Sequence, residues 1–120
     1  MKQFRGTGVA LVTPFTKGKV DFAELERIIE YNINGGVDYL VSLGTTGEAV
    51  TLSEKECQEI MKFTVKTANG RLPIVAGLFG DNHTARLLKR LKEYDLEGIS
   101  AVMSSSPHYV KPNQEGIFRH

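Results

Sequence analysis

Short apolar segments at residues 8–12, 37–43, 74–76 and 99–103 alternate with longer stretches whose apolar residues fall at three- and four-residue steps. The repeat is about 30 residues, the length of a strand–helix unit in a parallel sheet. The segments are apolar on both faces rather than alternating, so they read as strands covered on both sides. The order is strand–helix three times, then a fourth strand, a loop and the start of a helix. Two architectures meet that pattern: an open doubly wound sheet, or part of a (β/α)8 barrel.

Local signals place the helices. Asp21 is positioned to cap the first, with Glu24 three residues on for a reciprocal bond. Phe22, Leu25, Ile28, Ile29 and Ile33 form its apolar stripe, and Gly35-Gly36 ends it. Residues 15–19, with Lys17-Gly18-Lys19, read as a turn. Ser53-Glu54-Lys55-Glu56 is a capping box opening the second helix, and Leu52 with Cys57 fits a hydrophobic staple. Cys57, Ile60, Met61, Thr64, Val65 and Ala68 carry its buried stripe, and Asn69-Gly70 stops it. A third helix starts near Thr84, with Asp81 and Asn82 expected to cap it and Leu87, Leu88, Leu91 and Tyr94 expected to face inward. Asn113 is placed to cap a fourth.

The chain has 120 residues, 41% hydrophobic and 24% charged, as in a globular protein. Fifteen Lys and Arg against fourteen Asp and Glu leave a net charge of +1, which gives no electrostatic case for nucleic acid or an anionic membrane. No apolar run approaches the ~20 residues of a membrane span, and residues 1–6 lack a signal-peptide core. A single cysteine excludes an internal disulfide and a thiolate metal cluster. The expectation is a cytoplasmic enzyme, or a piece of one.

Polar and glycine-rich residues cluster after the strands, where parallel α/β folds bind ligands. In Gly44-Thr45-Thr46-Gly47-Glu48 the glycines permit a sharp turn and close backbone approach, and successive amides can hold a carboxylate or phosphate. No Gly-Lys-Ser or Gly-Lys-Thr follows, and the third glycine of a dinucleotide fingerprint is missing. The same residues also suit a plain threonine-capped turn. Tyr109, on a loop stiffened by Pro107 and Pro112, can relay a proton or simply pack. His83, His108 and His120 match no zinc signature. Asp38 interrupts a strand and needs water or a partner. Glu48 is expected to hydrogen-bond structurally, tying its loop to the next helix.

Residues 8–15 (Gly-Val-Ala-Leu-Val-Thr-Pro-Phe), 44–48, 73–77 and 107–116, in this order and spacing, resemble the amino-terminal part of one family. It is the pyruvate-dependent class I aldolase family of dihydrodipicolinate synthases and N-acetylneuraminate lyases. The resemblance implies a (β/α)8 barrel, of which residues 1–120 form about the first half as part of a single domain. It implies a homo-oligomer, a tetramer of tight dimers or a dimer, and no metal or organic cofactor. It also implies Schiff-base condensation of pyruvate with aspartate 4-semialdehyde, toward diaminopimelate and lysine. By the motif, Thr46 holds the pyruvate carboxylate, Thr45 belongs to a proton relay, and Tyr109 reaches into a neighbouring subunit's site. The Schiff-base lysine falls beyond His120, so the 120-residue chain alone is expected to be inactive.

Other readings are an N-acetylneuraminate or 2-keto-3-deoxy sugar-acid aldolase and, from a different class, a non-catalytic α/β binding module. Glu54 and Cys57 stand where lysine-inhibited members often carry histidines. His108 replaces a frequent tyrosine, Arg86 replaces a frequent glutamate, and the loop after Gly77 is one residue longer. These departures leave the catalytic motif intact and argue against lysine feedback.

Overall fold

The computed structural model describes residues 2–120. After a short 3-10 turn, strand β1 (Gly8–Ala10) leads to a small hairpin of β2 (Phe15–Thr16) and β3 (Lys19–Val20). Helix α1 (Phe22–Asn34), β4 (Tyr39–Ser42), a second 3-10 turn (Ala49–Thr51), α2 (Glu54–Ala68) and β5 (Ile74–Ala76) follow. The chain continues through α3 (Thr84–Glu93), β6 (Ala101–Val102) and α4 (Gln114–Arg119).

The main sheet runs β1-β4-β5-β6, every pair parallel, with Val9 beside Leu40, Leu40 beside Ile74 and Val75 beside Ala101. Each strand lies next to its predecessor in this sheet. A doubly wound sheet needs a reversal of strand order, and none occurs among the described strands. Right-handed crossovers without reversal put successive helices on one face, the winding of a barrel. The assigned strands are shorter than the apolar segments, yet the pairing continues past their ends: the Leu11 amide donates to Val41 O at 2.9 Å and the Met103 amide to Ala76 O at 2.9 Å.

Residues 15–19 hold more than a turn. Phe15 pairs with Val20 and Thr16 with Lys19 in an antiparallel ribbon. Lys17 (φ 53°) and Gly18 (φ 75°) supply the two positive dihedrals of a two-residue hairpin turn. Asp21 caps α1 by accepting from the Glu24 amide at 3.0 Å, but the Glu24 carboxylate turns to Arg27 instead of back to the cap. Asp21 also accepts from the Thr16 hydroxyl at 2.6 Å; chiefly for that reason its carboxyl is held below the usual range. In α2 the capping box is complete, with the Glu56 amide donating to Ser53 Oγ and the Ser53 amide to Glu56 Oε2 at 2.9 Å.

Leu25 and Ile29 of α1, Leu40 of β4, Ile60 and Met61 of α2, and Phe79, Leu87 and Tyr94 build the core. Thr64 is fully buried and satisfied, its hydroxyl donating to Ile60 O at 2.8 Å. Leu88 does not face inward; it is 52% exposed. Neighbouring residues point about 100° apart on a helix, and the stripe set by Leu87, Leu91 and Tyr94 leaves Leu88 on its flank. Asp38 finds its partner in the Thr7 amide at 2.6 Å. No helix among the described residues is long and apolar enough to cross a membrane.

Candidate active site

The turn after β4 is built from two overlapping hydrogen-bonded turns. The Gly47 amide donates to Gly44 O and the Glu48 amide to Thr45 O, each at 3.0 Å. Leu43 (φ 59°) and Glu48 (φ 55°) flank it in the left-handed region. Glu48 acts through its backbone, its carbonyl accepting from the amide and hydroxyl of Thr51, while its side chain makes no cap bond. The structural hydrogen bonding expected of Glu48 is thus made by its backbone. Thr13, buried after β1, donates its hydroxyl to Gly47 O at 2.6 Å and locks the turn to the neighbouring loop. Gly77 lets the loop after β5 pass close by: a Cβ there would lie 2.8 Å from the backbone N and Cα of Gly44.

Thr45 and Thr46 are thus held at an exposed apex at the carboxyl end of β4. Their amides donate to no protein acceptor among the described residues. Two successive amides and two hydroxyls, fixed by backbone turns rather than by their own side chains, form a ready seat for a carboxylate.

Tyr109 stands on the loop after β6, 94% exposed, with φ 67°. The Val110 amide donates to His108 O at 2.8 Å, two residues back, closing a γ-turn around Tyr109. A γ-turn with positive central φ is the rarer, strained form. The ring packs beneath no crossover among the described residues. No hydrogen bond joins Thr45 to Tyr109 among the described residues; both lie on loops at the carboxyl end of the sheet.

An open groove of roughly 800 Å³ lies between α2, α3 and these loops. Thr45 lines it and Thr46 does not, so the groove and the turn's apex are different surfaces that meet at Thr45. Its charges are mutually neutralised. The Glu54 carboxylate accepts from the Tyr94 hydroxyl and, at 2.6 Å, from Arg90, which also donates to Leu78 O. The Tyr94 hydroxyl bond holds the Glu54 carboxyl below its usual range, and burial pushes the Tyr94 phenol up. Asp81 is gripped by Arg86 at 2.6 and 2.8 Å, and that grip draws its pKa down to about 2. Burial pushes the Cys57 thiol up to about 11, with Glu54 adding to the shift, so it is a packing group and not a nucleophile.

Neither Asp81 nor Asn82 caps α3. His83 does, its Nδ1 accepting from the Arg86 amide at 3.1 Å. Asp81 instead braces the approach, accepting from the His83 amide at 2.8 Å. Asn82 is bonded to the backbone of His108, and His120 Nδ1 meets the Thr84 hydroxyl at 2.7 Å. No cluster of three or more His, Cys, Asp or Glu side chains suited to a metal occurs among the described residues. The Glu54–Tyr94–Arg90 and Asp81–Arg86 networks were not foreseen from sequence. The Glu54 partners lie 36 and 40 residues away and meet only in the folded chain, whereas Asp81 and Arg86 are five residues apart and only the turn into α3 brings them face to face.

The model of the Dihydrodipicolinate synthetase family matches residues 3–120. The 4-hydroxy-tetrahydrodipicolinate synthase of Flavobacterium psychrophilum is 52% identical over 100% of this chain and 41% of its own length. That of Clostridium novyi is 46% identical over 100% of this chain and 40% of its own length. Among solved structures, dihydrodipicolinate synthase from Thermotoga maritima superposes with a TM-score of 0.92 at 39% identity, over 98% of this chain and 40% of that one. The chloride-inhibited dihydrodipicolinate synthase from Acinetobacter baumannii complexed with pyruvate gives 0.89 at 41% identity, over 96% and 40%. The chain spans about two fifths of the length of the proteins it matches. Its sheet and helices have the architecture of the amino-terminal half of a (β/α)8 barrel.

Proposed function

The chain belongs to the dihydrodipicolinate synthetase family, and we propose that the full-length protein is a 4-hydroxy-tetrahydrodipicolinate synthase to which residues 1–120 contribute the first half of one barrel domain. In this reading a lysine from sequence following residue 120 forms a Schiff base with pyruvate. The iminium draws electrons from the methyl carbon, which loses a proton and attacks the aldehyde of aspartate 4-semialdehyde. The chemistry calls for no metal or organic cofactor.

The supporting observation is the turn after β4. Thr46 presents an amide and a hydroxyl to the pyruvate carboxylate, holding the methyl carbon toward the aldehyde. Thr45 passes protons with Tyr109, whose exposed ring on a strained turn suits reach into a neighbouring subunit's site, in a dimer or tetramer. A relative described as complexed with pyruvate supports the choice of substrate. Glu54 is already paired with Arg90 and Tyr94, which supports weak feedback by lysine.

The test is Thr46→Val in the full-length enzyme. Loss of a hydrogen bond to a charged group is worth about 1.5–3 kcal/mol, so KM for pyruvate is expected to rise roughly 10- to 100-fold. Thr46→Ser should restore most of it. Unchanged KM and turnover in Thr46→Val would overturn the assignment of Thr46.

A further inference from the structure

The strained turn at Tyr109 needs something to hold it, and the loop after β5 supplies the contacts. We infer that Asn82 is a positioning residue for Tyr109, clamping its turn from the neighbouring loop. The inference rests on the reading of Tyr109 as a proton relay.

The Asn82 side chain pairs with the His108 backbone in both directions: Nδ2 donates to His108 O at 2.9 Å, and the His108 amide donates to Oδ1 at 2.9 Å. His108 O is the same atom that accepts from the Val110 amide to close the γ-turn. One side chain therefore fixes both backbone polar groups of the residue before Tyr109. A positive φ at a non-glycine residue persists only where surrounding contacts over-determine it.

Asn82 is itself well anchored. Asp81, one residue before, is held by Arg86, and His83, one residue after, caps α3. Three residues earlier, Phe79 is fully buried edge-on to Tyr94. The two loops touch at two further points. Ser104 Oγ donates to Phe79 O at 2.7 Å, and a Cβ on Gly80 would come within 2.4 Å of Ser105 Oγ. The contacts at Ser104, Ser105 and His108 climb the loop toward Tyr109, and Asn82 is the last of them. Sequence spacing hides this, for Asn82 and His108 are 26 residues apart.

The test compares Asn82→Ala, Tyr109→Phe and the double variant in the full-length enzyme. Asn82→Ala should lower kcat roughly tenfold or more, since small misplacements of a reacting group are costly. KM for pyruvate and borohydride trapping of the Schiff base should be nearly unchanged. In the Tyr109→Phe background the same substitution should have little further effect, because the two act as one unit. Asn82→Asp keeps the acceptor for the His108 amide and loses the donor, so its kcat should lie between. Independently of activity, hydrogen exchange in the peptide spanning residues 104–112 should accelerate in Asn82→Ala while that of α2 stays the same. Normal kcat in Asn82→Ala, while Tyr109→Phe is impaired, would overturn the clamp and leave the relay standing. Equal kcat losses in both backgrounds, or unchanged exchange in the loop, would also overturn the clamp. Normal kcat in Tyr109→Phe would overturn the relay itself.

Discussion

Removing the Tyr109 hydroxyl separates proton transfer from packing. Tyr109→Phe keeps the ring's apolar contacts, so a full-length variant should fold and assemble as before. If the phenol relays protons, turnover should fall roughly 10²-fold or more, the usual scale of general acid–base help. Mixing this variant with one lacking the Schiff-base lysine should regenerate activity if Tyr109 serves a neighbouring subunit; no recovery after proven subunit exchange would place its action within one chain. Asp81 yields a pH prediction. The Arg86 grip lowers its pKa on folding from the ordinary value of about 3.9 to about 2. A depressed carboxylate stabilises the fold above pH ~4, and that contribution is lost as pH falls toward ~2. With Arg86 65% exposed, solvent limits it to about 1 kcal/mol. The stability gap between wild type and Asp81→Asn should therefore narrow from pH ~4 downward and close only as pH falls through ~2; a gap of constant size from pH ~5 to pH ~2 would assign Asp81 another role. At this scale the residue types were legible in the sequence while their partners were not. Asp81 and Asn82 read as the caps and His83 did not; only the contacts with Arg86, His108 and the helix amides sort the three into brace, clamp and cap.

Elements explain why the turn after β4 is rigid. β4 and β5 lie side by side, and their following loops approach so closely that Gly77 has no room for a side chain. The atoms in the way are backbone N and Cα of Gly44, which cannot swing aside as a side chain would. Gly77→Ala should therefore displace the Thr45-Thr46 turn, costing about 1–3 kcal/mol of stability and raising KM for pyruvate. Ser53→Ala supplies the contrast: it removes the α2 capping box at a cost of about 1 kcal/mol but should leave KM unaltered. Denaturation midpoints and pyruvate kinetics of the two full-length variants check this, and a normal KM in Gly77→Ala would show that the turn does not depend on that contact. The elements themselves were largely readable, because capping residues and helical stripes are local signals. The β2–β3 hairpin was missed because two-residue strands carry no periodicity, leaving only Lys17-Gly18 visible.

The order of the four parallel strands decides the architecture of the whole, and no local signal contains it. The rhythm of apolar segments fits both an open sheet and a barrel; the unreversed order β1-β4-β5-β6 selects the barrel. A compact protein of this mass exposes roughly 6,450 Å² and has a radius of gyration of roughly 13.6 Å. These residues expose 7912 Å² with a radius of 14.8 Å, in a slab 24 Å thick. Val12, Val102 and Met103, at or just beyond the ends of sheet strands, are each more than 40% exposed, and Phe118 is 87% exposed. Such a surface suits a half-barrel awaiting cover, not a finished binding module. The proposed chemistry divides in the same way: the proposed carboxylate seat is here, while every lysine whose side chain is described is exposed. A Schiff-base lysine has to stand in the site beside the bound carbonyl, and no side chain exposed on an outer face does so. Pyruvate with borohydride should therefore leave residues 1–120 unmodified under conditions that label the full-length enzyme stoichiometrically. Mass spectrometry of the two proteins side by side reads the outcome directly. One stoichiometric adduct on a single lysine of the short chain would mean that it carries its own Schiff-base site, and the division of labour between the two halves would have to be redrawn.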